Sequence, residues 1–408
     1  MDTYLVGGAV RDQLLNYPII EQDWVVVGAT PQQMLDLGYQ QVGRDFPVFL
    51  HPQTKDEHAL ARTERKAGHG YHGFDVYCAP EVTLEEDLLR RDLTVNAMAQ
   101  DDQGHIIDPY GGQQDLEARL LRHVSDAFVE DPLRVLRTAR FAARFHHLGF
   151  TVAPETMALM ADIVAAGELA HLSKERIWVE LDKAMGERNP QVFIEVLREC
   201  GALQHLIPEL EALFGVPQTP EHHPEIDSGI HTLLSLQQAV VLGGSKVVRF
   251  AVLMHDLDKG TTPEAEWPRH LAHEKRGVKL VRKACKRLKA PNQYRDLALA
   301  VCEYHLHSHR ALELRGKTLL KLLKETGGLR QPQRWENFLL ACEADARGRT
   351  GLEDRPYPQA SYLREARDIA LTVNASQFPD LEGPAIGQAM AEEQIRRLDA
   401  LRASQGVD

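Results

Sequence analysis

The hydrophobic period of this chain changes once, near residue 112, and that change limits the folds open to it. Before it, short apolar runs read as strands at Thr3–Val6, Trp24–Val27, Gln40–Val42, Val48–Leu50, His58–Ala61 and Phe74–Tyr77, with a last one at His105–Asp108. Helical spacing interleaves at Val10–Asn16, Pro31–Leu37 and Leu84–Arg91. Beyond it only helical spacing persists. Leu133, Leu136, Ala139, Ala143 and Phe145 share a face, and further amphipathic stretches follow at Pro154–Ala166, Lys174–Met185, Pro190–Cys200 and Ile230–Leu242. The expected class is α+β, a small mixed head followed by an all-helical body. A chain of 408 residues exceeds one ordinary core. The expected parts are 1–112, 113–220, 225–351 and 352–408, with Pro217–Pro224 as the break before a second functional unit.

Apolar runs fall short of the roughly 18 residues that a membrane span requires, and the N-terminus enters a strand at once. Cys78, Cys200, Cys285, Cys302 and Cys342 are scattered without CxxC spacing, which argues against a zinc ribbon or disulfide framework. Together these features predict a cytoplasmic protein with no membrane partner. Net charge is −12, which opposes nonspecific nucleic-acid binding. Positive charge is nevertheless clustered at Arg62, Arg65 and Lys66, at Arg90 and Arg91, at Arg134, Arg137, Arg140 and Arg144, and most densely from Lys275 to Lys289. A polyanion can therefore bind at a defined place, with clear salt dependence.

The strand before Gly7-Gly8-Ala9-Val10-Arg11-Asp12 enters a glycine turn and a helix, and a second strand opens near Glu21 and Asp23. Side chains alternate along a strand, so these two carboxylates are expected on one face. Such a pair repels itself unless a cation lies between its members, and it suits Mg²⁺, which completes its shell with phosphate and water. The glycines and the helix start offer backbone N–H groups to phosphate. An acidic pair is ordinarily a solvated edge and Gly-Gly a plain turn. Both within one short segment fit a nucleotidyltransferase palm.

Two further motifs point the same way. Arg90-Arg91-Asp92 can hold a triphosphate through guanidinium forks, with Asp92 orienting one arginine. Glu130-Asp131-Pro132-Leu133-Arg134 precedes Arg137 and Arg140 at three-residue spacing. A carboxylate and a guanidinium one turn apart can hydrogen-bond the Watson–Crick edge of a base. The plainer alternative is an acidic cap with a solvated basic face.

In order and spacing these motifs resemble the class II tRNA nucleotidyltransferases, the bacterial CCA-adding enzymes. The resemblance implies a polymerase-β-like head followed by neck, body and tail helices. It also implies untemplated addition of C, C and A to the tRNA 3′ end from CTP and ATP. Carried over by position, Gly8 and Arg11 contact the nucleotide, and Glu21 and Asp23 bind Mg²⁺. Arg91, Arg137 and Arg140 hold the triphosphate, while Glu130, Asp131 and Arg134 read the base. The family's first metal carboxylate is commonly Asp; Glu21 keeps the charge on a longer arm. Glu57 is a candidate third acidic group. The segment 43–66, with Arg44, Asp45, Arg62, Arg65 and Lys66, is expected to move between CTP and ATP selection.

Farther on, His255-Asp256-Leu257-Asp258-Lys259-Gly260 follows the apolar helix Val248–Met254, with His231 upstream and His270, His273, His305, His307, His309 and Asp345 downstream. Imidazoles and carboxylates gathered from several helices suit Mn, Ni, Fe, Zn or Mg. The arrangement resembles the HD phosphohydrolases. That resemblance implies His231, His255, Asp256 and Asp345 as ligands, His273 and His305 as second-site ligands, and phosphatase, 2′-nucleotidase or 2′,3′-cyclic phosphodiesterase activity. Asp258 stands where this motif often has glycine. The competing readings are a bacterial poly(A) polymerase, and an HD phosphohydrolase with an RNA-binding head. The expected partners are the tRNA 3′ end, CTP and ATP, on a monomer or homodimer. Helix 275–289 is expected on the RNA-facing surface.

Overall fold

The computed structural model describes residues 1–19, 21–42, 48–66, 74–220 and 224–404. Their contacts form two compact units, Met1–Ala184 with Val192–His205, and Met185–Gln191 with Leu206–Asp408.

The first unit is built on a mixed sheet of β1 (Asp2–Val6), β2 (Asp23–Val27), β3 (Gln40–Val42), β4 (Val48–Leu50), β5 (Glu57–Leu60), β8 (Ala99–Gln100) and β9 (Ile106–Ile107). Their order is β3-β4-β5-β2-β1-β8-β9. Strands β6 (Thr63–Lys66) and β7 (Phe74–Tyr77) form a separate antiparallel pair. Period-two alternation works on both faces of β2. Val25 packs with Val6, Leu88 and Ala99, while Val26 packs with Met34, Phe49 and Leu60. Strands β2 and β5 run parallel, with Asp23 opposite Glu57. That register puts the candidate third carboxylate beside the second.

Helix Pro31–Asp36 starts with a reciprocal cap between Thr30 and Gln33, and helix Leu84–Leu89 with the same device between Thr83 and Glu86. Helix Leu133–Phe145 is buried almost throughout, Arg134 and Arg140 included. This rules out the solvated basic face that arginine spacing alone allowed.

Several elements differ from expectation. The first helix is Gly8–Leu14, two residues earlier than read, because Gly7 takes φ 68° and turns the chain sooner. Strand β2 begins at Asp23, so Glu21 precedes it and strand alternation does not govern its direction. The arginine motif ends one helix but opens only a 3₁₀ turn, Thr94–Asn96. In the helical region, Leu120–Leu121 and Thr151–Val152 form a short parallel pair. Arg44 and Asp45, part of the break at 217–224, and the side chains of Arg65 and Lys66 lie outside the described residues.

In the second unit, helices Ser228–Val241, Lys246–Met254, His273–Leu288, Asn292–His309 and Pro332–Arg347 enclose a core that includes Phe250, Leu253, Trp335 and Phe338. Helices Pro358–Leu371 and Pro384–Ser404 follow. No helix among the described residues is long and apolar enough to cross a membrane.

Candidate active sites

The first site is a cleft over the C-terminal end of β1 and the start of β2. Gly7, Gly8, Asp23, Glu57, Arg91, Arg134, Arg137 and Arg176 are among the residues that line it. A side chain at Gly7 would have to hold φ 68° with its Cβ 2.7 Å from the Arg91 guanidinium, so glycine lets that cation close on the turn. Glu21 lines an adjoining groove shared with Asp23 and Glu57. Burial raises the Asp23 carboxyl above its ordinary pKa; Glu21 adds to the rise, and Arg91 opposes it. The three acidic groups thus sit at one edge of the cleft, with the carboxylate repulsion that a divalent cation relieves.

The arginines are held by residues of this chain. Asp87 is fully buried and grips both Arg90 (Nη2–Oδ1 2.8 Å) and Arg91 (Nη2–Oδ2 3.2 Å). Burial alone would raise its pKa, but the two guanidinium charges outweigh it and hold the carboxyl below the ordinary range. Asp92 was expected to orient one of these two arginines. Instead it accepts from Arg137 Nε at 2.8 Å and from Asn96 Nδ2 at 3.0 Å. Arg90, Arg91 and Asp92 all follow helix Leu84–Leu89, whereas Asp87 lies within its last turn.

Two of the three base-reading candidates, Asp131 and Arg134, line the same cleft. Asp131 accepts from Arg176 Nη2 at 2.7 Å, and its backbone carbonyl accepts from the Arg134 amide at 3.0 Å. Arg134 donates to the carbonyls of Ala127 and Arg90. Glu130 ends the 3₁₀ turn Asp126–Glu130, half-buried and apart from the residues lining the cleft. Two candidates lie beneath rather than against it. Arg11 is buried over Phe145 and Phe141, 4.8 and 5.1 Å from their ring centres, and donates to Asp12 and Asn96. Arg140 is buried on Glu180, with Nε 2.6 Å from the carboxylate. Both have the geometry of positioning residues.

The second site is a buried knot of imidazole and carboxylate in the helical unit. His231, His255 and Asp345 offer ligand atoms within 4.8 Å of one another, and so do Asp256, His273 and His305. Each group takes its members from three helices or their ends. Asp256 faces both groups. One oxygen is 3.1 Å from His255 Nε2; the other is 3.2 Å from His273 Nε2 and 3.6 Å from His305 Nε2. The six residues were expected as four plus two, with Asp256 in the first set. Geometry divides them three and three, with Asp256 placed to bridge.

Every histidine of this knot turns Nε2 inward. Nδ1 bonds a backbone carbonyl: Gly348 for His231, Val252 for His255, His270 for His273 and Val301 for His305. This outer bond fixes the tautomer and leaves Nε2 as the ligand atom. His255 Nε2, His273 Nε2 and Asp256 Oδ1 are buried without a hydrogen-bond partner. Burial lowers the His255 pKa, but the charges on Asp256 and Asp345 more than offset it and push it up to about 10. The pocket favours positive charge between its carboxylates, and its donor set fits divalent metal ions.

Neighbouring residues complete the shell. Lys259 Nζ contacts Asp256 Oδ2 and Gln218. His309 Nε2 is 2.6 Å from Asp345 Oδ2, and Glu225 lies 3.0 Å from His231 Nδ1. Asp258, in the glycine position, accepts from Thr261 Oγ1 at 2.9 Å and Arg276 Nε at 2.7 Å, tying its loop to the next helix. His270 points away, bonding Thr262 and Pro217.

An acidic edge facing an arginine wall, joined in one chain to a histidine–aspartate knot, defines a nucleotidyltransferase that carries an HD domain. Comparisons agree by segment. Residues 3–122 match the poly A polymerase head domain family, 149–214 the probable RNA and SrmB-binding site of polymerase A, and 229–346 the HD domain family. Over the full length, the chain is 61% identical to the multifunctional CCA protein of Thioalkalivibrio sulfidiphilus, covering all of both chains. It is 59% identical to that of Teredinibacter turnerae, covering 99% of each. The chain belongs to the multifunctional CCA protein family, and full-length likeness at this level selects that family over poly(A) polymerase. Among solved structures, the Bacillus stearothermophilus CCA-adding enzyme in complex with CTP matches with a TM-score of 0.67 and 26% identity over 98% of this chain and 89% of that one. The Thermotoga maritima CCA-adding enzyme complexed with tRNA shares the fold, with a TM-score of 0.62 and 20% identity over 98% and 87%.

Proposed function

We propose that the head cleft adds C, C and A to the tRNA 3′ end from CTP and ATP, and that the HD knot hydrolyses phosphate esters at damaged RNA ends. One observation carries the first reading: Asp23, in register with Glu57, lines a single cleft together with Arg91, Arg134, Arg137 and Arg176. Glu21 and Asp23 hold Mg²⁺, with Glu57 beside them. Bound divalent ions lower the pKa of the attacking 3′-hydroxyl and offset charge on the leaving pyrophosphate. Arg91 and Arg137, fixed by Asp87 and Asp92, orient the triphosphate for in-line attack. The 3′ oxygen forms a bond to the α-phosphorus as the bond to pyrophosphate breaks. Asp131 and Arg134 accept from and donate to the base edge. Gly8 brings backbone N–H groups to the phosphates, and Arg11, Glu130 and Arg140 brace the elements beneath them.

In the HD knot, His231, His255 and Asp345 would hold one divalent ion and Asp256, His273 and His305 a second, with Ni, Mn or Mg as candidates. Lys259 holds Asp256 in place. A water oxygen forms the new bond to phosphorus, one P–O ester bond breaks, and the leaving oxygen takes a proton. Removal of a terminal phosphate followed by CCA addition would restore a damaged tRNA in one protein. The chain works as a cytoplasmic monomer or homodimer, with 1–112 as head, 113–220 as neck and body, 225–351 as HD domain and 352–408 as tail. The test is incubation with tRNA lacking CCA, Mg²⁺ and labelled CTP or ATP, followed by sequencing of the products. Ends extended by CCA support the reading; an A-only tail overturns it.

A further inference from the structure

Helix His273–Leu288 has a feature that neither chemistry uses. Its buried side carries His273, Gly277, Val281, Ala284, Cys285 and Leu288. Its outer side carries Lys275, Lys279, Arg282 and Lys286, all exposed. At about 100° per residue these four fall within a narrow stripe about 16 Å long. Two flanking cations are already engaged, Arg276 with Asp258 and Arg287 with Glu209 and the Leu206 carbonyl, while Lys283 is exposed beside the stripe. Among the described residues, none of the four stripe cations has an ion-pair partner.

Position gives the stripe its meaning. The helix begins at His273, whose Nε2 lies 3.2 Å from Asp256 in the metal knot. Arg276 ties the helix to Asp258, two residues past Asp256, at 2.7 Å. The stripe therefore starts within one turn of a candidate ligand, is fixed to the loop that carries Asp256, and runs about 20 Å from it. On a chain of net charge −12 a polyanion is held only where cations cluster. A row of unengaged cations leading to a phosphoester site complements a phosphodiester strand, whose backbone contacts supply position without sequence preference.

We propose that this stripe is a backbone guide that seats an RNA strand with its 3′ end in the HD knot, so that the HD site takes polynucleotide ends in preference to free nucleotides. The proposal rests on the reading of the knot as a phosphoester hydrolase. The occupant is RNA; the four stripe residues lie outside 149–214, the segment matched to an RNA-binding family, although Arg287 of the same helix bonds Leu206 and Glu209 at the end of that segment.

The test uses the full chain supplied with Ni²⁺ or Mn²⁺ and compares it with the triple variant Lys279→Glu, Arg282→Glu, Lys286→Glu. Two substrates are hydrolysed: 2′,3′-cyclic AMP, and an acceptor-stem minihelix ending in a 2′,3′-cyclic phosphate. The expected result is a KM for the minihelix raised about tenfold or more. Its log–log salt slope should flatten by about 2, as for three lost single-strand phosphate contacts. The kcat, both constants for 2′,3′-cyclic AMP, and the KM for tRNA in CTP addition should stay unchanged. Equal minihelix constants in variant and parent overturn the proposal. An equal rise in the tRNA KM for CTP addition also overturns it, since the stripe would then serve the head. A parent that opens 2′,3′-cyclic AMP but not the minihelix leaves the hydrolase reading standing and removes the guide. A parent that opens neither removes both.

Discussion

The head cleft and the HD knot both gather carboxylates and cationic or basic groups, yet they handle exposure in opposite ways. In the head, Asp23 stays partly open to solvent with its pKa raised, and the arginines of the cleft are held by Asp87 and Asp92. In the knot, His231, His255, Asp256, Asp345, His273 and His305 are all buried, and the histidines named as ligands are fixed through Nδ1. The open site suits a nucleotide that arrives with its own charge and leaves after each addition. The closed one suits ions that stay. The difference teaches that preorganisation can act on the partners of a transient ligand or on the ligand atoms of a resident one.

Substitutions at either site break that contrast. Replacing His255 and Asp256 together by alanine should abolish phosphoester hydrolysis and remove bound metal, measured by elemental analysis, while CCA addition continues at the parent rate. Loss of both activities in a folded variant would mean that the sites are not independent. Asp131→Ala or Arg134→Ala should weaken discrimination against UTP and GTP by about 1–3 kcal/mol, roughly ten- to hundredfold. Full exclusion of both nucleotides by both variants would place base reading elsewhere. Glu225→Gln keeps a hydrogen-bond acceptor for His231 but removes its charge, and should weaken metal affinity about tenfold. An unchanged metal titration would leave the Gly348 carbonyl as the group that orients His231.

The smallest effect sharpens the head side. Two guanidinium charges hold the folded Asp87 pKa below its unfolded value, which is about 4. Its contribution to stability is therefore present above that value and lost as pH falls through the folded pKa. Asp87→Asn should lower Tm at neutral pH, and the gap from the parent should narrow below about pH 4. A gap independent of pH would mean that packing, not charge, is what Asp87 supplies.

Residues close in sequence were the ones that could be read without a structure. The glycine turn, strands β1 to β5 within a residue or so, and the His255-Asp256 doublet follow from local period and residue type, whereas the doublet's distant partners came from the resemblance to HD phosphohydrolases. His309, one turn from His305, and Asp87, one turn before Arg90 and Arg91, were within reach of helical spacing and were not assigned. Arg176 and Glu180 were beyond it. They share a face of helix Lys174–Gly186, but their partners Asp131 and Arg140 lie 45 and 40 residues earlier. Nothing local marks such pairings. Arg11 and Arg140 misled for the related reason that a guanidinium beside a phosphate site and one buried beneath it look alike in sequence. Only the aromatic rings and carboxylates around them tell the two apart.

The central claim is that two chemistries occupy two separately built sites, and Asp23→Ala tests it most directly. Both activities should be measured on one preparation, CTP addition to tRNA lacking CCA and hydrolysis of 2′,3′-cyclic AMP with added Ni²⁺. Removing a carboxylate that anchors a divalent ion forfeits several kcal/mol of charge stabilisation, so addition should fall by at least about a hundredfold. Hydrolysis should remain at the parent rate. Addition near the parent rate would contradict the assignment of the acidic edge, and a parallel fall in hydrolysis would contradict the separation of the two sites.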